Sequence, residues 1–138
     1  MTTTHAVPVI GAEVAQLRPG AITRSTLALF AGASGDHNPI HIDLDFARAS
    51  GMEDVFAHGM LSMAYLARLL TDTFRQDQIR EFSTRFTAIT PVLAEPVLRA
   101  TVREVTTVDG EERVTLAITA ELADGTQTLA GTAVVVVS

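Results

Sequence analysis

The feature that most constrains this chain is a change of hydrophobic period near residue 79. Through residues 59–74, Met60, Leu61, Met63, Ala64, Leu66, Ala67, Leu69 and Leu70 leave little polar face. That pattern predicts one long helix buried on most sides. From Ile79 onward the period is two. Phe82, Thr84, Phe86 and Ala88 alternate with Ser83, Arg85 and Thr87, and Leu98, Ala100 and Val102 alternate with Arg99, Thr101 and Arg103. Val114, Leu116 and Ile118 alternate with Thr115 and Thr119. Asp109-Gly110 and Asp124-Gly125 fall between these runs and predict hairpin turns. The last run, 126–137, ends in four consecutive valines and predicts a strand buried on both faces.

A sheet needs a layer over its apolar face, and the helix at 59–74 is the obvious candidate. The expected fold is therefore α+β: a long central helix wrapped by a curled antiparallel sheet, the arrangement called a hot dog. Upstream, Pro19-Gly20 marks a turn beside a short strand within 14–22. Thr23 or Ser25 can cap a helix that carries Leu27, Phe30 and Ala31 on one face and stops near residues 32–35. Asp43 can cap a second, short helix over 43–49. There is no repeat and no linker, so a single domain is expected over residues 1–138. Its first dozen residues, His5 included, are expected to be loosely held.

Composition removes several function classes. The chain has 138 residues, a formal net charge of −6, and ten basic residues that are all arginine. An acidic chain with few aromatics is a poor partner for nucleic acid. No cysteine is present, which excludes disulfides, thiolate zinc sites and a cysteine nucleophile. No apolar run approaches the roughly 20 residues that cross a bilayer. The start Met1-Thr2-Thr3-Thr4-His5 lacks the basic and apolar parts of a signal peptide. The cytoplasm is the expected location.

The stretch that carries chemistry is Ser34-Gly35-Asp36-His37-Asn38-Pro39-Ile40-His41. On an α-helix, Asp36 and His41 would point about 140° apart. Pro39 excludes a regular helix and lets a loop turn both side chains into one site. A carboxylate beside an imidazole is standard equipment for proton transfer near neutral pH. The Asn38 amide can bridge backbone groups and hold the loop closed. By residue type alone, Asp36 could equally be a helix cap and His41 a half-buried loop residue.

A second stretch, Ala57-His58-Gly59-Met60-Leu61-Ser62, opens the long helix without an Asp, Asn, Ser or Thr cap. The free amides of a buried helix start need partners. Gly59 lets a ligand oxygen approach them, and the helix dipole favours negative charge there. This describes an oxyanion site for a thioester carbonyl. The alternative is that His58 caps the helix and Gly59 only relieves crowding.

These two stretches resemble the MaoC-like (R)-specific enoyl-CoA hydratases and (R)-3-hydroxyacyl-carrier-protein dehydratases. Phe30, Ser34, Gly35, Asp36, Asn38, Pro39, Ile40, His41 and Ala47 match the family's signature, and Ala33 departs from its usual larger aliphatic residue or Gly. The helix start at 57–62 and the run 85–92 match as well. Within the family, the likeness is strongest to stand-alone catalytic subunits of fatty-acid-elongation dehydratases.

The resemblance implies reversible hydration of a trans-2-enoyl thioester to an (R)-3-hydroxyacyl thioester. Asp36 and His41 would hold one water, Gly59 would bind the thioester carbonyl, and Ser62 would lie near the site. Ser62 bonding back to its own helix is the competing reading. Met63, Ala64 and Ala67 are expected to wall an acyl tunnel. The substrate would ride on coenzyme A or phosphopantetheine, with no cofactor. A homodimer, or a heterodimer with a related hot-dog subunit, is expected, and an acyl-carrier protein is a candidate partner.

Two rivals share the fold: a thioesterase and a non-catalytic acyl-binding subunit. A zinc site drawn from Asp36, His37, His41 and His58 is disfavoured because the spacings fit no usual zinc pattern, so no metal is expected. Arg80, Arg85, Arg99 and Arg103 could meet phosphates, but solvated strand positions are the simpler reading.

Overall fold

A computed structural model describes residues 8–137; His5 and the rest of residues 1–7 lie outside it. Gly11 and Ala12 already pair with the sheet, the Gly11 amide donating to the Val102 carbonyl at 2.8 Å and Val102 donating to Ala12 at 2.9 Å. The strand β1 (Glu13–Leu17) continues this pairing; it is the short strand expected within 14–22 and begins one residue before that stretch. Next come the helices α1 (Arg24–Ser34) and α2 (Leu44–Ala49). The long helix α3 (Gly59–Thr73) follows, and then β2 (Ile79–Phe86), β3 (Val97–Val108), β4 (Glu111–Glu121) and β5 (Gln127–Val136). The five strands form one sheet in the order β1-β3-β4-β5-β2, with every neighbouring pair antiparallel.

The caps explain why the helices start and stop where they do. The Thr23 side chain accepts from the Thr26 amide, and Gly35 ends α1 at φ 78°, a left-handed conformation that costs Gly little. The Asp43 carboxylate accepts from the amides of Asp45 and Phe46.

Leu66, Leu69 and Leu70 of α3 pack with Leu98, Val102, Leu116, Ile118 and Val135 of the sheet. Full burial of each such side chain contributes about 1.5–3 kcal/mol. A second cluster joins Ile22 and Leu27 to Ala47, Val55, Ala57 and Leu61, so α1 and the segment before α3 are held against one end of the long helix.

Two features differ from the sequence expectation. On β5, Val134 and Val136 are only half-buried and alternate with the buried Ala133 and Val135, because α3 covers one face of the sheet. Also, α3 is not enclosed all round. Its buried residues are Leu61, Ser62, Leu66, Leu69 and Leu70, while Met60 is 54% exposed and Ala64 is exposed too. The open face belongs to a groove described below. No helix among the described residues is long and apolar enough to cross a membrane.

Candidate active site

The loop after α1 is built from local hydrogen bonds. The Asp36 amide donates to Ser34 Oγ at 3.2 Å, and the Asn38 amide donates to Asp36 Oδ1 at 3.2 Å. Asn38 Oδ1 accepts from the Ile40 amide at 3.1 Å and so caps a single 3₁₀ turn, Pro39–His41, in which Pro39 occupies the first position. This turn was not foreseen from the sequence. It brings His41 round to face Asp36, with 4.0 Å between His41 Nε2 and Asp36 Oδ2.

His41 is almost buried, whereas half of the Asp36 side chain is exposed. The other ring nitrogen of His41 lies 2.7 Å from the Phe56 carbonyl. A carbonyl only accepts, so Nδ1 carries the hydrogen and Nε2 keeps a free lone pair. The 4.0 Å gap is too long for a direct hydrogen bond but short enough for one oxygen atom to touch both groups.

His58 lies immediately before α3 and makes no cap hydrogen bond to it. Its Nε2–H donates instead to the backbone carbonyl of Asp36 at 3.1 Å, and its ring stacks on His41 with centroids 4.0 Å apart. Burial pushes the His58 imidazole below its usual pKa. The Asp36 carbonyl opposes that shift and the neighbouring His41 ring adds to it. The reading of His58 as a cap is therefore replaced by a long-range role that sequence spacing could not reveal.

Gly59 opens the uncapped end of α3 and faces a cleft of ≈ 340 Å³ bordered by Phe56, Phe86, Ala88 and Thr90. A Cβ on Gly59 would stand 3.0 Å from two atoms of the Phe86 ring. The first turn of α3 thus approaches the pair through His58, with its own amides uncapped by any side chain. Ser62 is buried one turn further along.

On the other side of that helix start lies a groove of ≈ 460 Å³. Asp36 and Ser34 stand at it together with Phe30, Met60, Met63, Ala64, Ala67 and Phe82. Past Ala67 and Phe82 a further hollow of ≈ 340 Å³ continues toward the end of α3. All three residues expected to wall a tunnel, Met63, Ala64 and Ala67, border this apolar groove.

Asp36, His41 and His58 offer ligand atoms within 4.8 Å of one another, and the exposed His37 is not among them. His58 Nε2 is engaged as a donor to the Asp36 carbonyl, and its Nδ1 is buried without a partner. The arginines divide: Arg80 pairs with Glu111, holding that carboxyl down at about 2 together with Arg113, and Arg99 pairs with Glu13 and Glu121. Arg85 and Arg103 are exposed.

Relatives share this architecture. The (R)-specific enoyl-CoA hydratase of Rhodospirillum rubrum is 41% identical over 49 residues, 36% of this chain and 34% of that protein. The matches to three curated relatives span only 11% to 39% of those proteins' lengths. The solved (R)-hydratase from A. caviae involved in PHA biosynthesis superposes with a TM-score of 0.80 at 25% identity, covering 96% of this chain and 98% of that one. The ChsH1-ChsH2 complex from Mycobacterium tuberculosis superposes at 0.79 with 20% identity, over 96% of this chain and all of the matched one. The family profile described as MaoC like domain matches residues 5–126, most of the sequence, and the chain belongs to that family.

Proposed function

We infer that the protein adds water across the 2,3-bond of a trans-2-enoyl thioester, and removes it again, yielding the (R)-3-hydroxyacyl thioester. The observation that carries this reading is the free Nε2 of His41 facing Asp36 Oδ2 across 4.0 Å, with Asp36 itself lining an apolar groove. One water fits between the two groups. His41 takes a proton from it as its oxygen bonds to C3, and the Phe56 carbonyl steadies the resulting imidazolium through Nδ1–H. The π electrons of the 2,3-bond move onto the thioester oxygen, held by the Gly59 amide at the helix start. The enolate then collapses as C2 takes a proton from the same pair. No cofactor or metal enters these steps. The thioester arm, coenzyme A or phosphopantetheine, would leave through the cleft beside Gly59 and Phe86.

Thioester hydrolysis on the same fold would need a nucleophile or base aimed from the helix. From Met60 to Thr71, α3 carries no carboxylate, and Asp72 is exposed and paired with Arg68. A merely acyl-binding subunit would have no use for a free imidazole lone pair facing a carboxylate. Incubation with a short enoyl-CoA separates the three: hydration removes enoyl absorbance without releasing thiol, hydrolysis releases thiol, and binding alone does neither.

The groove also supports a chain-length prediction. Ala64→Phe and Ala67→Phe should weaken long enoyl thioesters more than crotonyl thioesters, read as the ratio of kcat/KM between the two. Equal loss at every length would put the acyl chain elsewhere.

Among the described residues, both sheet edges, β1 and β2, lack a partner strand on one side, and Phe86, Ile89 and Leu93 are at least half exposed near the end of β2. Unpaired edges and exposed apolar residues invite a second subunit. The chain is expected to run as a dimer in light scattering, with itself or with a related hot-dog subunit. A fully active monomer at micromolar concentration would remove this expectation.

A further inference from the structure

Among the described residues, the segment 35–42 is tied to the rest of the chain by two long-range hydrogen bonds, and both come from histidine rings. His41 reaches out of the loop to the Phe56 carbonyl at 2.7 Å. His58 reaches back into the loop to the Asp36 carbonyl at 3.1 Å. The two rings lie against each other with 28° between their planes. The edges of the stack are closed by aromatic rings, Phe30 at 4.9 Å from His58 and Phe56 at 5.1 Å from His41.

The bonds within the loop fix its internal shape. None of them ties Asp36 to α3 directly: Ser34 ends α1, and Asn38 and Ile40 lie in the loop, where Ile40 packs partly buried against the second core cluster. His58 adds a hydrogen bond from the start of α3 to the Asp36 backbone itself. It is 1% exposed and its Nε2–H is already spent on the Asp36 carbonyl, so it acts through its neighbours. Its Nδ1 is buried without a partner, as expected of a ring whose single hydrogen is committed to the Asp36 carbonyl.

We propose that His58 is a positioning residue: its bond to the Asp36 carbonyl and its stacking on His41 together set the separation between carboxylate and imidazole on which turnover depends. This rests on the hydration reading above. A misplacement of about 1 Å at a reacting group can cost about 10²-fold in rate.

The test compares His58→Gln with His58→Asn. Gln carries an amide N–H at the same number of bonds from the backbone as Nε2; Asn carries the same amide one carbon short. His58→Asn should lose about 10²-fold in kcat with little change in KM, and the His41 and Ile42 amides should exchange faster with solvent. His58→Gln should recover most of kcat and of the protection. Equal kcat in the two variants, or a loss carried by KM, would overturn the proposal. If His58→Asn does not fold, His58→Ala with added imidazole takes its place. Recovery of kcat by imidazole supports the role, and no recovery overturns it. Should the wild-type chain not hydrate enoyl thioesters, the hydration reading falls on that result alone. Unchanged amide protection in His58→Asn would still overturn the positioning role of His58.

Discussion

Asp36→Asn and His41→Gln should each leave the fold intact and lower kcat by about 10²–10⁴-fold, the range that positioned acid–base groups contribute. Asp36 is half exposed and its carboxylate accepts a hydrogen bond from the Asn38 amide, which an Asn side-chain oxygen can also accept. The substitution removes charge and proton affinity with little change of shape. His41→Gln loses the titratable lone pair at Nε2, and its amide, at the reach of Nε2, gives up the Nδ1–H bond to the Phe56 carbonyl. Both residues act on one water, so the double variant should be little worse than the poorer single one. The check is kcat on an enoyl thioester alongside a thermal melt. Loss of activity with an unchanged melting temperature is the expected result for Asp36→Asn, and loss of activity with a cooperative melt retained for His41→Gln.

The largest stability effect is expected at Gly131, where β5 crosses β2. A Cβ there would stand 1.9 Å from the Ser83 carbonyl oxygen and 2.7 Å from the Thr84 Cα. Both are backbone atoms, so no rotamer change relieves the overlap. Gly131 is paired with Thr84 on one side and Ile118 on the other, which leaves β2 as the element that must move. Overpacking a tight site costs about 1–3 kcal/mol, and backbone contact belongs at or above the top of that range. Gly131→Ala should therefore lose about 3 kcal/mol or more in denaturant unfolding. Phe82 and Phe86 ride on β2, so the groove and the cleft beside Gly59 would be disturbed together. Gly32, with nothing within 4 Å of a Cβ and an ordinary helical conformation in α1, is the control. Gly32→Ala should stabilise by up to about 1 kcal/mol. Equal effects at the two glycines would contradict the close β2–β5 approach.

The fold was legible where a residue pattern has one physical reading. The apolar run at 59–74 became α3 within a residue, because nothing but a helix satisfies that period, and Asp109-Gly110 and Asp124-Gly125 became turns between the strands. Thr23, Gly35 and Asp43 act through their own chemistry and their nearest neighbours, so the limits of α1 and α2 were readable as well. The open face of α3 was not, since Met60 and Ala64 are as apolar as a core residue and only the third dimension shows which side the sheet leaves bare.

The same division runs through the site. Asp36, Asn38, Pro39 and His41 are close in sequence, and their loop could be expected from Pro39 alone. The partners that fix it, the Phe56 carbonyl and the His58 ring, are 15 and 22 residues from the groups they meet. A backbone carbonyl carries no sequence signal, and His58 looked like a cap because it stands where a cap would.

The account rests on one water activated between Asp36 and His41. Its most direct test is the progress curve of a trans-2-enoyl thioester with wild-type protein and with Asp36→Asn, followed by enoyl absorbance and free thiol together, with chiral analysis of the product. The account predicts loss of absorbance without thiol release, an (R)-3-hydroxyacyl product, and at least about a 10²-fold slower curve for Asp36→Asn. Thiol release at the rate of absorbance loss, or an Asp36→Asn curve that matches wild type, would contradict it.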